Sequence, residues 1–229
     1  MLVAGFATGS FQANCFVLAP EPGGPCVVVD PGEGSEQPLD ELLRQHRLDP
    51  VAVLLTHGHF DHIFAVTPVC DGNDIPAWIH PEDRVLLSDP MRAFSAEARQ
   101  FFGGRVQLRE PREVRELADG TSMDLAGLSF TVDHTPGHTR GSVTFRSVTT
   151  AGARMLVSGD TLFAGSIGRT DLPGGDHQQL LSSLRDKILV LNDETTVLPG
   201  HGPATTIGQE RASNPFLHGL AAPGRPRGL

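Results

Sequence analysis

The chain has 229 residues, a net charge of −9 and a pI near 5.5. That length supports one sizeable hydrophobic core, and the acidic balance argues against a nucleic-acid surface or a polybasic membrane patch. Three cysteines, Cys15, Cys26 and Cys70, match no zinc-ribbon spacing and fit reduced thiols in a cytoplasmic protein; neither a signal peptide nor an apolar run of membrane-spanning length is seen.

Residues 2–7 and 14–19 read as strands joined through Thr8-Gly9-Ser10. A turn cluster from Pro20 to Pro25 leads into the apolar strand Cys26-Val27-Val28-Val29, which ends at Asp30-Pro31-Gly32. On residue type alone, Asp30 serves equally well as a turn former. A helix is predicted from Pro38 to Arg47, with proline near its start and Leu39, Leu42 and Leu43 on one face. The strand Val51–Leu55 then delivers Thr56-His57-Gly58-His59-Phe60-Asp61-His62, four metal-competent side chains within six positions. His57 and His59 share a side of an extended chain, and Asp61 and His62 fall where the chain bends into a short helix through Ile63–Val66. Pro68 is expected to end or kink that helix. After a short strand at 76–79, His80 before Pro81-Glu82-Asp83 is expected to open a helix and not to ligate. Residues 82–102 carry a mostly helical pattern, with Met91, Phe94, Phe101 and Phe102 at packing positions.

Strands follow near 112–117, 121–125, 128–133, 142–148 and 154–158, then a helix from Asp176 to Leu189, a strand at 195–198 and a short helix from Ile207 to Ala212. One domain is expected over residues 1–217, with a Pro- and Gly-rich tail at 218–229. Three more strands end in candidate ligands. Thr135-Pro136-Gly137-His138-Thr139 presents His138, with His134 four residues earlier, and residue type leaves both open. Val157-Ser158-Gly159-Asp160 presents Asp160, and Leu198-Pro199-Gly200-His201 presents His201. Side chains gathered from several strand ends make a pocket at one edge of a sheet. In the loop Gly168–His177, Arg169 suits either an anionic substrate group or an ion pair with Asp171, and His177 sits beside a helix start.

The H-x-H-x-D-H, P-G-H-T, G-D and P-G-H-G motifs, spread over about Phe11 to Leu217, resemble the metallo-β-lactamase superfamily and, within it, the glyoxalase II-like hydrolases. The resemblance implies an α/β fold, a four-layer αββα sandwich in a single domain. It implies that His57, His59 and His138 hold a first metal, that Asp61, His62 and His201 hold a second, and that Asp160 bridges them. It selects His138 over His134 and makes Asp30 a supporting residue behind the metal loop. With no cysteine in these motifs, the donors suit zinc first, and iron or manganese as well. Two close divalent ions lower the pKa of a shared water, one polarises a carbonyl, and Asp61 orients the resulting hydroxide as the catalytic residue. The implied activity is hydrolysis of a small-molecule thioester such as S-lactoylglutathione, with no nucleic-acid or membrane partner. The chain departs from glyoxalase II enzymes in lacking their C-terminal glutathione-gripping domain with its Lys and Tyr; it has no tyrosine at all, so the thiol carrier does not carry over. The missing tyrosine also tells against a lactone hydrolase, and the zinc β-lactamases most like this pattern place Cys where Asp160 stands. Two rivals remain: a persulfide dioxygenase with a single iron, whose family shares P-G-H-T and G-R-T-D, and a non-catalytic metal-binding protein.

Overall fold

The computed structural model describes residues 1–95, 99–100, 108–149 and 152–220. They form two six-stranded mixed sheets. The first contains β1 (Leu2–Thr8), β2 (Ala13–Ala19), β3 (Pro25–Val29), β4 (Asp49–Leu54), β5 (Ala77–Ile79) and β6 (Val114–Glu116), side by side in that order. β1 to β3 are antiparallel neighbours, and β3 to β6 run parallel. The second sheet contains β7 (Ser122–Leu125), β8 (Leu128–His134), β9 (Val143–Val148), β10 (Arg154–Gly159), β13 (Thr196–Pro199) and β14 (Thr205–Thr206), with β10 and β13 parallel. A small hairpin of β11 (Leu162–Phe163) and β12 (Ser166–Ile167) stands apart.

Alternation along the strands divides the core into three layers of contact. Leu18, Val27, Val29 and Leu54 point from the first sheet onto Phe130, Val132, Phe145 and Val157 of the second. Their neighbours Val17, Cys26, Val28 and Val53 face the opposite way, onto α1 (Glu36–His46) and α3 (Val66–Asn73) through Leu39, Leu43, Val66 and Val69. On the far side, Leu156 and Val197 pack under α5 (His177–Ser183) and α6 (Ile207–Ser213) through Leu180 and Ile207. A period-two strand that is apolar on both faces has to be covered on both. Helix, sheet, sheet, helix is the four-layer αββα sandwich, in one domain. Among the described residues, no helix is long and apolar enough to cross a membrane.

Three helical expectations change. The helix expected at Ile63–Val66 divides into α2 (Phe60–Ile63) and α3, with the break at Ala65 (φ −95°, ψ 6°). Pro68 sits in the first turn of α3, where its missing N–H would have had no helical partner, so it starts a helix and does not end one. Over residues 82–95 the long helix expected at 82–102 gives way to short turns, whereas residues 99–100 are helical. α4 (Pro81–Arg84) is one turn, followed by 3₁₀ turns at Val85–Leu87 and Pro90–Ala93. Pro90 forces Asp89 out of the helical region (φ −135°, ψ 69°), which separates the two turns. Phe101 and Phe102 lie outside the described residues, as do 221–229 of the expected tail. The helix at 176–189 is α5 capped by Asp176, whose side chain accepts the Gln179 N–H at 3.0 Å, and it closes in a π-helical turn at Leu184–Ile188.

Candidate metal centre

The four ligand-bearing stretches meet at one edge of the sandwich. His57, His59, Asp61 and His62 follow β4, His138 follows β8, Asp160 follows β10 and His201 follows β13. Donor atoms of His57, His59 and His138 fall within 4.8 Å of one another, and so do those of Asp61, His62 and His201. His57, His62 and His138 are almost fully buried, at 1%, 0% and 2% exposure, which rules out a loop of solvated imidazoles.

Four of the five rings are turned by a partner on the outer nitrogen. Asp30, buried after β3 in a left-handed conformation (φ 51°), accepts the Thr56 backbone N–H at 2.8 Å and the Thr56 hydroxyl at 2.6 Å. The Thr56 hydroxyl has one proton, and it goes to Asp30. Its oxygen is left to accept from His57 Nδ1 at 3.0 Å. Asp30 also takes His62 Nδ1 at 3.1 Å. His138 Nδ1 donates to the Arg169 carbonyl at 2.8 Å, and His201 Nδ1 donates to the Phe11 carbonyl at 3.1 Å. In its neutral form each of these four rings therefore turns a proton-free Nε2 inward, the tautomer a metal requires.

The inward atoms are the unpartnered ones. Nε2 of His57, His59 and His138 and Oδ1 of Asp160 are buried without a hydrogen-bond partner. Leaving four such atoms dry and unpaired costs several kcal/mol, so an ion to receive them is the physical resolution. Spacing agrees. Donors about 2.1 Å from one ion at the tetrahedral angle lie about 3.4 Å apart. His62 Nε2 is 3.2 Å from His201 Nε2 and 3.6 Å from Asp61 Oδ2, and His201 Nε2 is 3.3 Å from Asp61 Oδ2. Asp160 reaches both groups: Oδ2 lies 3.4 Å from His138 Nε2 and 3.5 Å from His201 Nε2, and Oδ1 lies 3.5 Å from His62 Nε2. The residues fit two cations with Asp160 between them.

Electrostatics divides the centre. Burial pushes the His57 imidazole well below its ordinary range, and the neighbouring His62, His138 and His59 rings add to this. Burial would also lower His62, but Asp160, Asp61 and Asp30 outweigh it and push that imidazole up to about 10. Burial would raise Asp61, yet His62, His201 and His59 hold its carboxyl well below the carboxylate range. Burial keeps His57 and His59 as neutral nitrogen donors, whereas the group of Asp61, His62 and His201 is carboxylate-rich and attracts positive charge.

Sequence reasoning missed Asp83. This side chain, 2% exposed in α4, accepts the Gly58 N–H on Oδ2 at 2.8 Å, the Gly141 N–H on Oδ1 at 2.8 Å and the Thr139 hydroxyl on Oδ2 at 2.7 Å. It ties the His57-Gly58-His59 turn to the loop carrying His138. Gly200 also belongs to the centre: a Cβ there would overlap Asp160 Oδ1 and crowd His62. His134 stays outside, its Nε2–H donating to the Arg140 carbonyl at 2.8 Å and its ring stacked on His80 with centroids 4.0 Å apart. His80 opens α4, its Nδ1 accepting the Glu82 N–H at 3.3 Å, and His177 is the first residue of α5. Arg169 makes the pair with Asp171, two bonds of 2.8 Å, while lining the cavity over the centre. That cavity has a volume of about 520 Å³.

Residues 8–201 match the model of the metallo-beta-lactamase superfamily. A protein of Mycobacterium tuberculosis, without an assigned function, is 50% identical over 96% of this chain and 100% of its own length. The hydroxyacylglutathione hydrolase GloC of Haemophilus influenzae is 34% identical over 91% of this chain and 94% of its own. Among solved structures, the B3 metallo-beta-lactamase BLEG-1 superposes with a TM-score of 0.82 at 42% identity, covering 95% of this chain and all of its own. TTHA1623 in a di-iron-bound form superposes with a TM-score of 0.76 at 40% identity, covering 93% and 100%.

Proposed function

The chain belongs to the metallo-beta-lactamase superfamily, and from that premise we propose that it is a dinuclear metal-dependent hydrolase of thioesters. The observation that carries the proposal is the paired donor set with Asp160 reaching both halves. In this reading His57, His59 and His138 hold one divalent ion, Asp61, His62 and His201 hold the other, and Asp160 serves both. Such a pair supplies an ionised water near neutral pH and polarises a carbonyl oxygen. The chain's own groups do the rest. Asp61, ionised at neutral pH, accepts a hydrogen bond from the attacking water and fixes its direction. His57, His62, His138 and His201 are locked from behind by Thr56, Asp30, Arg169 and Phe11, so little reorganisation accompanies the reaction. No serine or cysteine is among the described residues lining the cavity, and the proposed chemistry requires none as a nucleophile.

GloC, 34% identical, supports thioesters as the substrate class. BLEG-1, 42% identical and named a B3 metallo-beta-lactamase, supports β-lactams as the second reading. The all-imidazole and carboxylate donors suit zinc, and the di-iron form of TTHA1623 supports iron equally. The test supplies S-lactoylglutathione, a chromogenic cephalosporin and glutathione persulfide to one metal-assayed preparation. Thiol release with about two ions per chain, lost in His62→Ala, is the expected result. Cephalosporin opening without thiol release would move the assignment to the second reading. Oxygen uptake on the persulfide with one iron per chain, insensitive to His62→Ala, would replace it with a dioxygenase.

A further inference from the structure

The cavity over the centre has a second character that the metal donors do not explain. Apart from those donors its wall is built of Phe11, Phe60, Phe94, Phe163, Ile167 and Leu172, with Ala93 filling between. The four rings come from four separate places: the β1–β2 turn, the start of α2, the end of the Pro90–Ala93 turn and the β11–β12 hairpin. The Phe163 ring stands edge-on to His201 at 6.0 Å, and Phe60 meets Phe94 at 6.4 Å. Phe11 is 58% exposed at the mouth, although its carbonyl is committed to His201. An exposed phenyl beside a cavity is stabilised when a ligand covers it.

The polar side of the wall is as informative. Among the described lining residues Arg169 is the one guanidinium, and both oxygens of Asp171 already take it. Among the described lining residues, a peptide-like thiol with free carboxylates therefore finds no guanidinium or ammonium group outside the Arg169–Asp171 pair to meet them. An uncharged chain or ring finds aromatic surface on several sides.

We propose that this wall is a subsite for an uncharged apolar group, so that the enzyme selects thioesters of an alkyl or aryl acid on a neutral thiol over those of glutathione. The inference rests on the hydrolase reading above for its chemistry but not for its binding. Each methylene buried against the phenyl rings raises affinity about fourfold until the cavity is full.

Two series test it on the metal-loaded protein. The first is acetyl, butyryl and hexanoyl thioesters of N-acetylcysteamine, run against S-lactoylglutathione. The second is the matching alkyl thioethers, which cannot be hydrolysed, measured by calorimetry. The expected result is a kcat/KM that climbs by about fourfold per methylene and passes that of S-lactoylglutathione, with thioether affinity climbing in parallel. Phe60→Ala and Phe163→Ala should flatten both climbs while metal content stays the same. Thioether affinity that climbs with no thioester cleaved would keep the subsite and remove the thioesterase reading. Affinity independent of chain length, or a clear preference for S-lactoylglutathione, would overturn the subsite.

Discussion

Asp160 and Asp83 do different work at the centre, and substitution separates them. Asp160 has an oxygen facing each donor group, so Asp160→Ala should lower the content of both ions, whereas His201→Ala should empty mainly the group that includes Asp61 and His62. Metal analysis of the two variants decides this; two ions retained in Asp160→Ala would remove its shared role. Asp83 touches no inward-facing atom. It holds the turn at Gly58 against the loop at Thr139 and Gly141. Such supporting partners are worth about 10- to 100-fold in metal affinity. Asp83→Ala should weaken the His57, His59 and His138 group by that factor in a chelator competition, and Asp83→Asn, which keeps one acceptor, should fall between. Unchanged affinity in a folded Asp83→Ala would make the carboxylate purely structural. The two residues also differ in how far the sequence announces them. Asp160 ends an apolar strand, so its type and place are visible within five residues. The partners of Asp83 lie 25, 56 and 58 positions away, and a helix-start Asp preceded by Pro and Glu looks like any solvated first turn.

At the scale of elements, the core strands and the helices α1, α5 and α6 were legible, and the stretch after His80 was not. The period-two apolar runs located β3, β4, β8 and β10 to within a residue or two, because burial on both faces leaves few alternatives. The stretch after His80 misled because its aromatic spacing outweighed Pro90, whose effect on Asp89 is local and absolute. The His80 cap itself carries a pH prediction. Burial holds its imidazole below the ordinary value, and the stacked His134 ring adds to that, while Asp83, Glu82 and Asp119 pull the other way. A histidine whose folded pKa is depressed contributes fully above the unfolded value near 6.5 and loses that contribution as pH falls below it. The melting temperature should therefore drop between about pH 7 and pH 5, and His80→Asn, which keeps a capping oxygen, should show a shallower drop. Identical pH profiles for the two proteins would show that the His80–His134 stack does not report on acid.

At the scale of the whole molecule, the donors are divided between two sheets. Residues up to Glu116 build the first sheet and supply His57, His59, Asp61 and His62. Residues from Ser122 build the second and supply His138, Asp160 and His201. β2 adds a direct tie across the gap, the Asn14 N–H reaching the Gly200 carbonyl at 2.7 Å and the Asn14 amide reaching Pro199 and Gly202 at 2.9 Å each. On the proposed reading, ions held between the sheets would stabilise the folded state by mass action, about 4 kcal/mol at a thousandfold excess over Kd, so chelation should lower the melting temperature on the order of 10 °C. A melting temperature indifferent to chelator would place the ions elsewhere. The same division has a consequence in time. Neither half of the chain owns a complete donor set, so a refolding molecule cannot hold its full complement of ions before the two sheets have met. Uptake of both ions must then trail sheet docking, and a metal-sensitive dye in a stopped-flow refolding experiment becomes a clock for the last step of assembly.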